Sequence, residues 1–203
     1  MNIRKALATL IPLAAIAVFA ADMGPDELVK NTANEVLTII KQDKDIQSGN
    51  TQKVAELVDA KVLPHFDFTR MTRLAVGRSW SNASETQKQQ LIKEFHTLLV
   101  RTYSVSLAQY KNQTIDYKPV AVSPEEKEVT VKSTIAQPGG QPISIDYRME
   151  KSADGWKAFD IAVEGVSLVT NYRGSFSTIV EQSGIDGLVK SLVEKNKSNA
   201  AAK

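Results

Sequence analysis

The chain has 203 residues, 42% of them hydrophobic and 24% charged, which excludes a disordered chain. Its 25 basic and 23 acidic residues give a net charge of +2, without the basic excess of a dedicated nucleic-acid binder. There is no cysteine and only two histidines, His65 and His96. That excludes disulfides, thiolate catalysis and thiolate metal sites, and argues against a His-rich metal centre.

Arg4 and Lys5 precede an apolar run from Ala6 to Phe19, and small residues, Ala20 and Ala21, follow it. This order is that of a secretory signal peptide, and the run is short of the roughly 20 residues of a membrane span. Residues 1–20 therefore read as a signal peptide, 22–197 as one domain and 198–203 as a frayed tail. Removing Arg4 and Lys5 from the 25 basic residues leaves them equal to the 23 acidic ones. Such a chain has little long-range attraction to anionic membrane surfaces.

Pro25, Asp26 and Glu27 suit the first turn of a helix carrying Leu28, Ala33, Val36, Leu37 and Ile40 at helical spacing. A second helix carries Val54, Leu57, Val58, Val62 and Leu63 and stops at Pro64. A third is expected over 66–76, closed by Gly77. Ser84 with Gln87 forms a capping box for a long helix reaching about Asn112. From residue 113 the apolar period falls to two. Four strands follow, around Ile115–Tyr117, Val129–Ile135, Ile143–Met149 and Lys157–Val163. The last carries Phe159, Ile161 and Val163 on one face, and Asp154-Gly155 marks a hairpin. Helices are expected again over 166–182 and 184–195. Helices, strands joined by short turns, then helices make an α+β protein, a curved antiparallel sheet of about four strands covered by helices.

The sequence carries no phosphate-binding Gly-rich loop, no dinucleotide fingerprint, no zinc-protease helix motif and no nucleophile elbow. His65 beside Pro64 and His96 in the long helix read as structural residues. Asp146 and Asp160 alternate with apolar neighbours, which points both away from the apolar face. Arg148 or Lys157 can pair with them. Arg70, Arg73, Arg78 and Arg101 could clamp a phosphate headgroup, but a solvated or docking helix face accounts for them better. An enzyme is not expected, and neither a metal nor a cofactor is implied.

Several segments resemble the MlaC, or toluene-tolerance, family of periplasmic phospholipid-binding proteins: FDFTRM (66–71), RLAVGRSW (73–80), RTY (101–103), PGGQPISIDYRM (138–149), GWKAFDIAVEGVSLVTNYRGSF (155–176) and GIDGL (184–188). The resemblance runs over roughly residues 25–195. It implies a fold like nuclear transport factor two, with extra N- and C-terminal helices, in a periplasmic, monomeric carrier. The implied cargo is a glycerophospholipid. The implied partners are an outer-membrane lipoprotein–porin complex and an inner-membrane ABC transporter with a lipid-binding ring, and the implied role is maintenance of outer-membrane lipid asymmetry.

Exposing lipid tails to water costs about 0.8 kcal/mol per methylene, so a carrier must bury them between apolar walls free of unpaired charge. The strand face supplies Ile143, Ile145, Tyr147 and Met149 as expected tail contacts. The helices supply Met71, Leu74, Leu99, Tyr103, Val166, Val169, Tyr172 and Phe176. Two rivals stand beside the carrier. An enzyme of the same fold would use Tyr103 and an aspartate on a small apolar substrate, and needs a carboxylate facing the cavity. A lipid-free envelope adaptor needs an interior filled by side chains.

Overall fold

A computed structural model describes residues 23–110 and 113–201. The expected signal peptide lies outside them. The chain opens with α1 (Pro25–Gln42), α2 (Lys44–Gln47) and α3 (Thr51–Lys61). Asp43 caps α2 through the amides of Asp45 and Ile46, and Asn50 caps α3 through that of Lys53. A 3-10 turn over Leu63–His65 leads into α4 (Phe68–Val76), whose N-cap, Asp67, accepts from the Arg70 amide. Gly77 ends α4 at φ 67°, a backbone state that favours glycine. A 3-10 segment, Gly77–Asn82, precedes α5 (Glu85–Ala108). The Ser84–Gln87 capping box starts α5 as the sequence predicts.

Five strands follow in an antiparallel meander: β1 (Thr114–Lys118), β2 (Glu128–Ala136), β3 (Ile143–Ser152), β4 (Gly155–Val163) and β5 (Val166–Ser167). The fifth strand was not expected. Glu164 and Gly165 both take positive φ, 50° and 76°, and fold the chain back so that Val166 pairs with Val163. Such a turn suits a tight hairpin, and a two-residue strand has no periodicity to read. The chain ends in α6 (Leu168–Ala201), interrupted at Gly184, where φ 67° and ψ −174° break the helix in two. The two halves correspond to the expected pair of helices, and the second runs on to Ala201.

A β-bulge reorganises β4. Arg148 pairs with Asp160, but Met149 pairs with Ala158, so Phe159 has no partner in the ladder. Trp156 and Ala158 share the inner face with Ile161 and Val163 only because of this slip. Phe159 leaves that face, contrary to the strict alternation expected for it, and joins the helical core.

Three apolar clusters hold the fold. Met71, Leu91, Phe95, Leu98, Phe159, Val169, Phe176, Leu188 and Leu192 join α4, α5, α6 and β4. Val36, Ile40, Ile46, Val54, Val58 and Val100 join α1, α2, α3 and α5. Val129, Val131, Met149, Trp156 and Ala158 fill one end of the sheet's inner face, against Leu28 and Val29 of α1. The buried Asp160 fastens α6 to the sheet. It accepts from the Ser167 hydroxyl at 2.6 Å and the Val169 amide at 3.1 Å.

Candidate functional site

Phe66 packs against the first and third of these clusters, and members of all three line an apolar cavity with two lobes. One lobe, of about 210 Å³, lies between α1 and the sheet, with Leu28, Val36, Leu37, Ile115, Met149 and Ala158 on its wall. The other, of about 280 Å³, lies between α3, α4, α5 and the sheet, with Val58, Phe68, Met71, Leu99, Tyr103, Ile145 and Val163 on its wall. Val62, Phe66, Leu107, Ile135, Tyr147 and Ile161 border both lobes and form a shared waist.

Local structure explains this wall. Inner-face positions on neighbouring strands stand directly opposite one another, Ser133 with Ile145 and Val131 with Tyr147 on β2–β3, then Ile145 with Val163 and Tyr147 with Ile161 on β3–β4. The chain enters α4 through Phe66, which bridges to Ala158 at the edge of β4. Asp67 donates its amide to the Ala158 carbonyl at 2.9 Å, and so carries Phe66 and Phe68 over the cavity.

Six of the twelve residues expected from the sequence lie on this wall. Met71, Leu99, Tyr103 and Ile145 border the larger lobe, Met149 the smaller, and Tyr147 both. The other six lie elsewhere. Val169 and Phe176 are buried in the helical core, where Leu74 and Tyr172 pack against them. Phe95 meets Tyr172 and Phe176 edge-on, with centroids 5.0 and 5.3 Å apart, and these rings fill their space. Ile143 stands at the start of β3 opposite Ile135. Val166 lies in β5 rather than a helix and is 58% exposed. The sequence does not set apart the waist residues Val62, Phe66, Leu107, Ile135 and Ile161. Their sequence signal is apolar periodicity alone, which they share with filled core positions.

Among the described residues the wall carries no carboxylate, lysine or arginine. Asp146 lies 3.8 Å from Lys132, and Asp160 is 3.7 Å from Arg148 on the face opposite the cavity. Arg70 binds Glu128 and Glu150, and Arg101 donates to the Asn196 carbonyl. Burial pushes the Tyr103, Tyr147 and Tyr172 phenols above their ordinary range, so they stay neutral. His65, on the wall of the smaller lobe, is lowered by burial and by the nearby Lys157 ammonium, with Glu35 opposing. His96 packs on the Phe68 ring and lies 3.3 Å from Asp59, outside the cavity wall. Among the described residues no cluster of three or more metal-ligating side chains occurs, and no helix is long and apolar enough to cross a membrane. The site can sequester hydrocarbon, and the titratable side chains among its described lining residues are His65, Tyr103 and Tyr147.

Comparison with known proteins gives a consistent answer. The family model described as MlaC protein matches residues 30–194. Toluene tolerance protein ttg2D of Pseudomonas putida is 23% identical over 185 residues, 91% of this chain and 85% of that protein. The intermembrane phospholipid transport system binding protein MlaC of Haemophilus influenzae is 22% identical over 172 residues, 83% of this chain and 80% of that one. Among solved structures, a phospholipid-binding protein from Ralstonia solanacearum, in complex with a phospholipid, superposes with a TM-score of 0.81. It is 42% identical and covers 89% of this chain and 99% of its own.

Proposed function

Because this chain belongs to the MlaC family, we propose that it is a periplasmic phospholipid carrier that buries acyl chains in the two-lobed cavity and leaves the headgroup in water. The observation that carries this reading is a wall without charge among the described residues, between a sheet and helices that resemble a structure holding a phospholipid. Tail contacts are assigned to Met71, Leu99, Tyr103, Ile145, Tyr147 and Met149, with the waist residues Phe66, Leu107 and Ile161. The lobes give the two chains of a diacyl lipid separate slots. No arginine borders them, which fits a headgroup held by solvent rather than by a clamp.

Transfer needs no covalent chemistry. The lipid enters from one membrane complex and leaves to another, here an outer-membrane lipoprotein–porin complex and an inner-membrane ABC transporter with a lipid-binding ring. A monomeric carrier only equilibrates lipid, so net movement and the upkeep of outer-membrane asymmetry draw their energy from the transporter. The enzyme reading lacks its carboxylate at the cavity, and the adaptor reading lacks a filled interior.

The test is to purify the protein without detergent, extract it with organic solvent and weigh the extract by mass spectrometry. About one phospholipid per chain is expected. A folded, monodisperse sample yielding no lipid would sink the carrier.

A further inference from the structure

The sheet's inner face carries one polar cluster. Tyr117 stands opposite Ser133 across β1–β2, in the row that continues through Ile145 to Val163 on the wall of the larger lobe. Tyr147, in the adjacent row, borders both lobes. Its hydroxyl lies 3.5 Å from the Oγ of the buried Ser133, a long and weak hydrogen bond. The Tyr117 hydroxyl is buried and has no hydrogen-bond partner among the described residues. Burial, then the neighbouring Tyr147 and Tyr110 phenols, push Tyr117 far above its ordinary value, so it keeps its proton and remains a donor. Tyr110 is committed elsewhere, to the Gln113 carbonyl. Folded proteins leave few buried polar groups unpaired, and each one calls for a reason.

We propose that Tyr117, with Tyr147 and Ser133 beside it, forms an ester-recognition site that donates a hydrogen bond to an acyl-ester carbonyl of the bound glycerolipid. This rests on the carrier reading. A phospholipid brings hydrocarbon and two ester carbonyls below its headgroup, and the carbonyls are the acceptors that can reach an apolar wall. Tyr117 and Ser133 themselves border neither lobe; their row meets the larger lobe at Ile145, and Tyr147 beside them borders both, so the cluster opens on the cavity through Tyr147. An ether-linked lipid with the same chains and headgroup lacks the carbonyl and leaves the phenol unpaired. Sites built around a hydrogen bond reject analogues that lack it.

The experiment mixes lipid-cleared protein with vesicles holding equal amounts of dioleoyl phosphatidylcholine and its diether analogue, then weighs the lipid recovered with the protein. Wild type should retain the diester about tenfold over the diether, a difference worth about 1.4 kcal/mol. Tyr117→Phe should bring the ratio close to one, and its lipid-free form should melt no lower than wild type, since it loses an unpaired hydroxyl. Parity in wild type, or an unchanged preference in Tyr117→Phe, overturns the ester site. So does a marked fall in the variant's melting temperature, which would make Tyr117 structural. Vesicles doped with oleate form a third arm, and a Tyr117-dependent preference for the free acid over both lipids also overturns it. If neither lipid is retained, the carrier reading fails; if both are retained equally, only this inference fails.

Discussion

The guanidinium of Arg70 lies over the ring of Phe159, 3.5 Å from its centroid. Arg148 approaches the same ring at 4.8 Å, and the end nitrogens of Arg70 donate to Glu128 and Glu150. Phe159 is placed there by the bulge that takes it out of the β3–β4 ladder. One slip in register thus provides the surface against which α4 is fixed to β2 and β3. Met71, on the cavity wall, is the next residue along α4.

Arg70→Met should therefore loosen the wall as well as the fold. It leaves Glu150 partly buried without its cation, which should cost about 2 kcal/mol, less than a fully buried pair because both carboxylates reach solvent. Arg70→Lys keeps the charge but loses the fork and the stacking, and should cost about 1 kcal/mol. Burial already raises the Glu150 carboxyl above its ordinary value, while Arg70 pulls it down. A carboxyl raised on folding favours the folded state at low pH, and that contribution is lost as pH rises through the folded value. Without Arg70 the value rises further, so the deficit of Arg70→Met should shrink as pH falls into the carboxylate range. Urea unfolding at several pH values checks this, and a pH-independent deficit would refute it.

Ile145→Glu places a carboxylate on the wall of the larger lobe, opposite Val163. An ionised carboxylate facing hydrocarbon is strongly unfavourable, so the folded variant should lose at least ten-fold in co-purified lipid. Lys132→Gln removes an exposed charge from the opposite face and should change nothing. Equal lipid in folded Ile145→Glu and wild type, by mass spectrometry of the extracts, would remove Ile145 from the tail contacts.

Phe176→Ala should show the reverse pattern. Phe176 is 3% exposed and packs on Phe95 and Tyr172, so its truncation should cost about 3–5 kcal/mol. Whatever fraction remains folded should hold lipid at the wild-type ratio, because the ring borders neither lobe. Thermal melts and extraction of the folded fraction separate the two effects. Lost lipid with unchanged stability would move Phe176 to the cavity.

Phe176 and Ile145 mark the limit of what the sequence discloses. Both repeat at the spacing of a buried face, and periodicity says only that a side chain points inward. Whether the space it meets is filled or hollow depends on partners far away in the chain, here Phe95 for one and the helix α5 wall for the other. The capping box at Ser84, the Gly77 stop and the hairpin at Gly155 were legible because their signals are local. The bulge at Phe159 and the two-residue β5 were not. The bulge is a difference in pairing between strands, and β5 is too short to show a period.

His65 supplies the pH dependence of the site. It sits in the 3-10 turn before α4 and borders the smaller lobe. Burial lowers it first and the Lys157 ammonium second, while Glu35 pulls the other way. Lys157 itself donates to the Pro64 carbonyl at 2.7 Å, which holds its charge beside the imidazole. A histidine whose folded value lies below its ordinary one, about 6.5, binds a proton more readily when the chain is unfolded. Its contribution to stability is thus complete above that ordinary value and is lost as pH falls through the folded value. A bound acyl chain shields the imidazole further from water, so the charged form is disfavoured still more in the loaded protein. Lipid retention should therefore weaken over the same window. His65→Gln cannot gain the charge and should flatten both profiles between about pH 5 and pH 8. Parallel profiles for the variant and wild type, in thermal melts and in lipid retention, would assign the titration to another group.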